Sequence, residues 1–234
     1  MKVGTKNFTL REFEFSQVAA QKGIDNTLPE ELYEDAQRVL EALQEIRDAL
    51  GFPIYISSGY RCPLLNATVG GAINSLHQYA RAADIICPHS VSFEDFADAI
   101  RWLVAKAVED ADVGLTEEEL QRVDDPLELE LRKALASLHG DDEKPRSRLA
   151  EVEELIWEQR GKVQWVHLAL CKKGQLPQKR DIFMMIDGIA SRVWLPPEER
   201  PKLLEQAEKP AEKPAEKPKT VRVRKREKGG EGKK

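Results

Sequence analysis

Cysteine is scarce: the chain has three, Cys62, Cys87 and Cys171, with no C-x-x-C pair among them. An odd count without paired spacing excludes a disulfide framework and a cysteine-built zinc ribbon, and leaves three reduced thiols as the expectation. Long apolar runs are missing too. No stretch approaches the roughly 20 residues that span a bilayer. The opening MKVGTKNFTLREFEF has neither an apolar signal core nor a cleavage site, so the expectation is a protein kept in the cytoplasm unless another route releases it. A phosphate-binding P-loop is absent as well: no Lys-Ser/Thr pair follows Gly70-Gly71, as that motif requires.

What the chain holds in quantity is charge. Charged residues make up 33% of the 234 residues and apolar ones 41%, enough for one sizeable core in a domain of about 100–200 residues with additions. The charge is unevenly spread: residues 219–234 carry +6, leaving −11 on residues 1–218. Ala-Glu-Lys-Pro repeats at 207–210, 211–214 and 215–218 have no apolar face to bury and predict an extended, disordered linker. The expected organisation is a folded domain over 1–195 and a disordered linker with a basic tail over 196–234. The tail could be drawn to anionic wall polymer, a membrane surface or nucleic acid. Within the domain, residues 109–150 are dense in both charge signs and contain the capping signature Thr116-x-x-Glu119. They read as a charged helical insertion with a solvated face.

Periodicity outlines the rest. Thr9 as N-cap with Glu12 three residues on predicts a short helix within Asn7–Ser16, pinned by Phe8, Phe13 and Phe15. Leu28–Leu50 repeats its apolar residues at helical spacing and is stopped by Gly51 and Pro53. Ile54–Ser57 reads as a short buried strand, Leu64–Ser75 as an irregular loop, and Ala83-Asp84-Ile85-Ile86 as a returning strand. Ser92 caps a helix to about Val108, and Glu154–Glu158 and Gln164–Leu170 pair as antiparallel strands around Gly161. Strand alternation puts Trp165, His167 and Ala169 on one face. Asp181–Trp194 reads as a last helix or mixed segment.

The residues suited to chemistry cluster in Ile54–Ile86. Arg61 presents a planar fork of donors for a carboxylate or oxyanion, with a structural salt bridge as its other reading. His77 and Asp84 are good zinc ligands, and His167 is the best third candidate. A catalytic zinc site needs three protein ligands of this kind and one open position. Ser58, Tyr60 and Ser75 could add hydrogen bonds to a substrate or simply hold the loop, and Asn66 reads as loop-stabilising. His89 and His139 read as core or surface residues.

Taken in order, Asn7-Phe8-Thr9-Leu10, Gly23-Ile24-Asp25-Asn26, Ser57-Ser58-Gly59-Tyr60-Arg61, Leu65-Asn66, Gly70-Gly71, Ser75-x-His77, Ala82-x-Asp84 and Trp165-Val166-His167 resemble the zinc peptidases of the M15 class. These are D-alanyl-D-alanine carboxypeptidases and phage endolysins that cut peptidoglycan peptides. The resemblance implies an α+β fold, a small, mainly antiparallel sheet flanked by helices. It also implies a zinc ion on His77, Asp84 and His167, a peptidoglycan stem peptide as substrate, contacts from Arg61, Ser58, Tyr60 and Ser75, and a monomer. Many relatives place the general base three residues, or a histidine two residues, before the last ligand; here Gln164 and Trp165 stand there. Glu158 resembles the acidic residue of a branch of the family and is the candidate base. Its strand neighbours bring Trp157 or Trp165 over the site. Ala80 replaces a glycine usual in the family. A wall-binding or virion protein that keeps the fold without turnover is the alternative.

Overall fold

Thr9 starts the chain's first helix as its spacing predicts: its side chain accepts the Glu12 N–H while Glu12 reaches back to the Thr9 N–H at 2.9 Å. The computed structural model describes residues 3–113, 147–175, 177, 179–194, 197 and 201–207. Most of the charged insertion, with Thr116, Glu119 and His139, and the tail from 208 lie outside the described residues.

Helix α1 (Leu10–Glu14) is followed by α2 (Gln17–Lys22) and, after a 3-10 turn at Glu30–Leu32, by the long α3 (Tyr33–Leu50). Gly51 closes α3 at φ 72°, donating its N–H to the Arg47 carbonyl, a left-handed cap that glycine adopts without a Cβ penalty. Strand β1 (Tyr55–Ser58) leads into α4 (Pro63–Thr68), a 3-10 turn at Leu76–Tyr79 and β2 (Ala82–Ile86). Helix α5 (Phe93–Val113) follows, then the hairpin of β3 (Val152–Arg160) and β4 (Val163–Leu170), the hairpin of β5 (Asp181–Ile186) and β6 (Ile189–Val193), and α6 (Lys202–Ala207).

The strands form one six-stranded sheet in the order β1-β2-β4-β3-β5-β6. It is mixed. Four neighbouring pairs are antiparallel, but β5 lies parallel to β3. The expectation of an α+β fold with a mainly antiparallel sheet therefore holds broadly, with β3–β5 as the parallel pair that makes the sheet mixed.

One sheet face is covered. Val39, Leu40, Leu43 and Ile46 of α3 and Phe96, Ile100 and Val104 of α5 are fully buried in a core shared with Ile85, Leu155, Val166 and Leu168. Removing that apolar area from water is the main stabilising term, at about 25 cal/mol per Å². Trp157 belongs to this side, its ring 5.7 Å from Phe93 and 5.9 Å from Trp194.

Several expectations need correction. Phe15 is exposed, unlike Phe8 and Phe13. The segment 64–75 contains α4, started by Pro63 at a first-turn position and capped by Cys62. Asp181–Trp194, expected as a helix or mixed segment, is a hairpin. Its turn is Asp187-Gly188, both at positive φ (50° and 81°), and Asp-Gly between apolar runs favours a two-residue turn whose twist matches the strands. Beyond 195, Leu204 of α6 is buried in the same core.

Candidate metal centre

The opposite sheet face carries the chemistry. Directly opposed strand residues share a face, and the register sets Asp84 against His167, with Ser58 against Asp84 on the other side. On β3, Ile156 faces His167, Glu158 faces Trp165 and Glu154 faces Ala169. One surface therefore presents Asp84, His167, Trp165, Glu154 and Glu158. His77 reaches it from the Leu76–Tyr79 turn.

That turn is held in place by its ends. The Arg61 N–H donates to the His77 carbonyl at 3.2 Å, and the Arg81 N–H to the Leu76 carbonyl at 3.1 Å. Ala80 ends the turn in the left-handed region (φ 54°, ψ 26°) with no exposed surface, so the loop takes the shape a glycine would give it. Gly59 is demanded by space instead: a Cβ there would lie 2.2 Å from the Phe13 carbonyl oxygen.

His77, Asp84 and His167 are 2%, 7% and 7% exposed, and each offers a ligand atom within 4.8 Å of the others. Asp84 Oδ1 is the common vertex, 3.2 Å from His77 Nε2 and 2.8 Å from His167 Nδ1. The two rings are tilted, with centroids 5.1 Å apart. His77 Nδ1 sits 2.6 Å from the Gly59 carbonyl. A carbonyl can only accept, so Nδ1 bears the proton and a neutral His77 turns the Nε2 lone pair toward Asp84. At its other edge His167 places Nε2 3.2 Å from Glu154 Oε2.

The donor set fits a cation. Two imidazole edges and a carboxylate oxygen converge on one point, and only a proton or a metal ion between them relieves the facing lone pairs. Without metal, protons take that part. Burial opposes a charge on His167, but its hydrogen bonds to Asp84 and Glu154 prevail and raise its pKa to about 9. Burial pushes His77 the other way, below its usual value, despite Asp84. Burial alone would raise Asp84; the two histidines outweigh it and hold its carboxyl well below the ordinary range. Two histidines and a carboxylate are a zinc-type ligand set.

Arg61 takes part, though as a neighbour of the cluster. It donates to Asp84 Oδ2 at 2.5 Å and, through Nε, to Ser58 Oγ at 2.8 Å. Arg61 thus pairs with Asp84, and Ser58 is its acceptor. Tyr60 is buried in the core at 4% exposure. Its phenol is pushed up by burial and then by Cys62, Glu31 and Asp25. Ser75 stands half-buried at the start of the His77 turn and makes no capping bond. Trp157 packs on the helical side, leaving Trp165 on the site face. His89 is exposed, and Asn66 holds its loop through the Ala72 carbonyl at 2.9 Å.

Glu158 is half-buried and its pKa is raised, by burial first and then by the negative charge of Asp84, with His167 acting in the opposite sense. It therefore feels the cluster. One contributor was not singled out by the sequence: the Gly59 carbonyl, which no side-chain pattern reveals. Glu154, the next carboxylate after Glu158 as a candidate base, stands at the outer edge of His167. Strand alternation does place Glu154 on the Glu158 face, which was the available signal.

No curated protein matches the chain. The family model described as Peptidase M15 matches residues 6–117, a span holding Arg61, His77 and Asp84, while the fold brings His167 to them from β4. Over those residues the chain is similar to the peptidase M15 family.

Proposed function

We propose that the protein is a zinc-dependent peptidase that hydrolyses peptidoglycan stem peptides, of the carboxypeptidase or L-alanyl-D-glutamate endopeptidase type found in phage endolysins. The observation that carries this reading is the convergence of His77 and Asp84, inside the span matched by the M15 model, with His167 from β4 at one vertex. A wall-binding or virion role without turnover would have no use for three buried, mutually facing ligands, and such groups are costly to bury unpaired.

His77, Asp84 and His167 would hold the ion. When bound, zinc supplies a Lewis acid that polarises a carbonyl and acidifies water. Arg61 neutralises and orients Asp84 through Oδ2, leaving Oδ1 to the site. Glu158, on the same face and with its pKa raised by burial, takes a proton from water and passes it to the leaving amine. Trp165 screens that carboxylate from solvent.

Metal analysis together with digestion of purified peptidoglycan tests the proposal. Wild-type protein should hold one zinc and release fragments whose masses identify the bond cut. His167→Ala should lose both properties. Full zinc occupancy in that variant, or zinc-loaded wild type inert on every stem peptide, would sink it.

A further inference from the structure

The two histidines of the cluster are held by different means. The proton on His77 Nδ1 is fixed by a main-chain carbonyl, Gly59 O at 2.6 Å, which no side-chain substitution removes. Among the described residues, His167 has no such backbone partner. Its Nδ1 faces Asp84 at 2.8 Å and its Nε2 faces Glu154 Oε2 at 3.2 Å. A neutral imidazole carries one proton, and the nitrogen that keeps it cannot bind a metal.

We propose that Glu154 is the positioning residue of the site: by accepting the Nε2 proton of His167, it turns the Nδ1 lone pair toward Asp84 and His77. The inference deepens the zinc reading and rests on it. Glu154 reaches this place because β3 and β4 set it opposite Ala169, two residues from His167 on the same face. The structure thereby divides two carboxylates of one strand. Glu154 touches the outer edge of a ligand, whereas Glu158 lies opposite Trp165. A carboxylate behind a ligating histidine fixes its tautomer and strengthens it as a ligand, and its loss weakens metal affinity by about 10–100-fold.

Zinc competition against a chromogenic chelator, on the full chain, reads this directly. Glu154→Ala should bind zinc about 10–100-fold more weakly than wild type. Glu154→Gln should stay within a few-fold, because its amide oxygen still accepts from Nε2. Long-range nitrogen–proton NMR of zinc-loaded wild type should show the His167 proton on Nε2. Unchanged zinc affinity in Glu154→Ala would overturn the assignment, as would a proton on Nδ1. So would a Glu154→Gln protein that keeps zinc but loses turnover as a missing base would. Wild type that binds no zinc would overturn the underlying peptidase reading itself.

Discussion

His167 stands between two carboxylates, and that arrangement has a consequence for pH. In the metal-free protein its pKa is raised from 6.5 to about 9. The folded state then holds a proton that the unfolded chain releases, so His167 contributes stability that is fully present below 6.5 and lost as pH rises toward 9. His77, with its lowered pKa, works on the other side: the unfolded chain takes up a proton first, and stability falls as pH drops below 6.5. Metal-free protein should therefore melt highest near neutral pH and lose midpoint on the alkaline side. Saturating zinc, which replaces the proton at the vertex, should flatten that alkaline fall. Equal slopes with and without zinc would contradict the account. At the same scale, Glu158→Gln should retain zinc and lose about 10²–10⁴-fold in turnover; near-normal turnover would remove Glu158 as the base.

At the level of elements, the site depends on how closely β1 and α1 approach. The Tyr60 N–H donates to the Phe13 carbonyl at 2.8 Å, and the neighbouring Gly59 leaves no room for a methyl group. Gly59→Ala would drive a Cβ into that carbonyl; overpacking of this kind costs about 1–3 kcal/mol, occasionally more. The Gly59 carbonyl also holds His77, so the variant should combine a lower melting midpoint with weaker zinc binding. A normal midpoint with normal affinity would show that the contact relaxes freely. The two hairpins are likewise linked: the Gly161 N–H donates to Asp187 Oδ1 at 2.9 Å, and the Asp187 N–H to the Gln159 carbonyl at 2.8 Å. That tie fixes the end of β3 at which Glu158 sits.

Across the whole molecule, the folded unit extends to α6. Leu204 is 1% exposed in the core shared with α3 and α5, so Leu204→Ala should cost about 2–5 kcal/mol. Truncation after Ala207 should leave stability and turnover on a small soluble peptide intact, whereas truncation after Leu195 removes the helix and should lower the melting midpoint. Identical midpoints for the two would show α6 to be dispensable. The basic tail, +6 over residues 219–234, is proposed as an electrostatic tether. Wall binding by the full chain should then weaken as salt shortens the screening length, and the Ala207 truncation should lose that salt-dependent part.

The ligand types, the helix caps, the periodicity of α3 and α5 and the alternation of β4 were legible in the sequence, because each depends on neighbours within a few residues. So was the pairing of β3 with β4 around Gly161. The Asp187-Gly188 turn carried the signal for the last hairpin, and it was missed because the apolar run Ile182–Ile186 has no strict alternation to separate strand from helix. Only the tertiary structure decided which partners the site residues found. The β1–β2 register set Ser58 against Asp84 and brought the Arg61 guanidinium to that carboxylate. Tyr60 lay in the motif yet turned into the core. Glu154 became the neighbour of His167 because two strands paired in one register, a distance of 13 residues along the chain closed to 3.2 Å in space. Residue types are a local property; the proton each nitrogen keeps is set by what the fold places behind it.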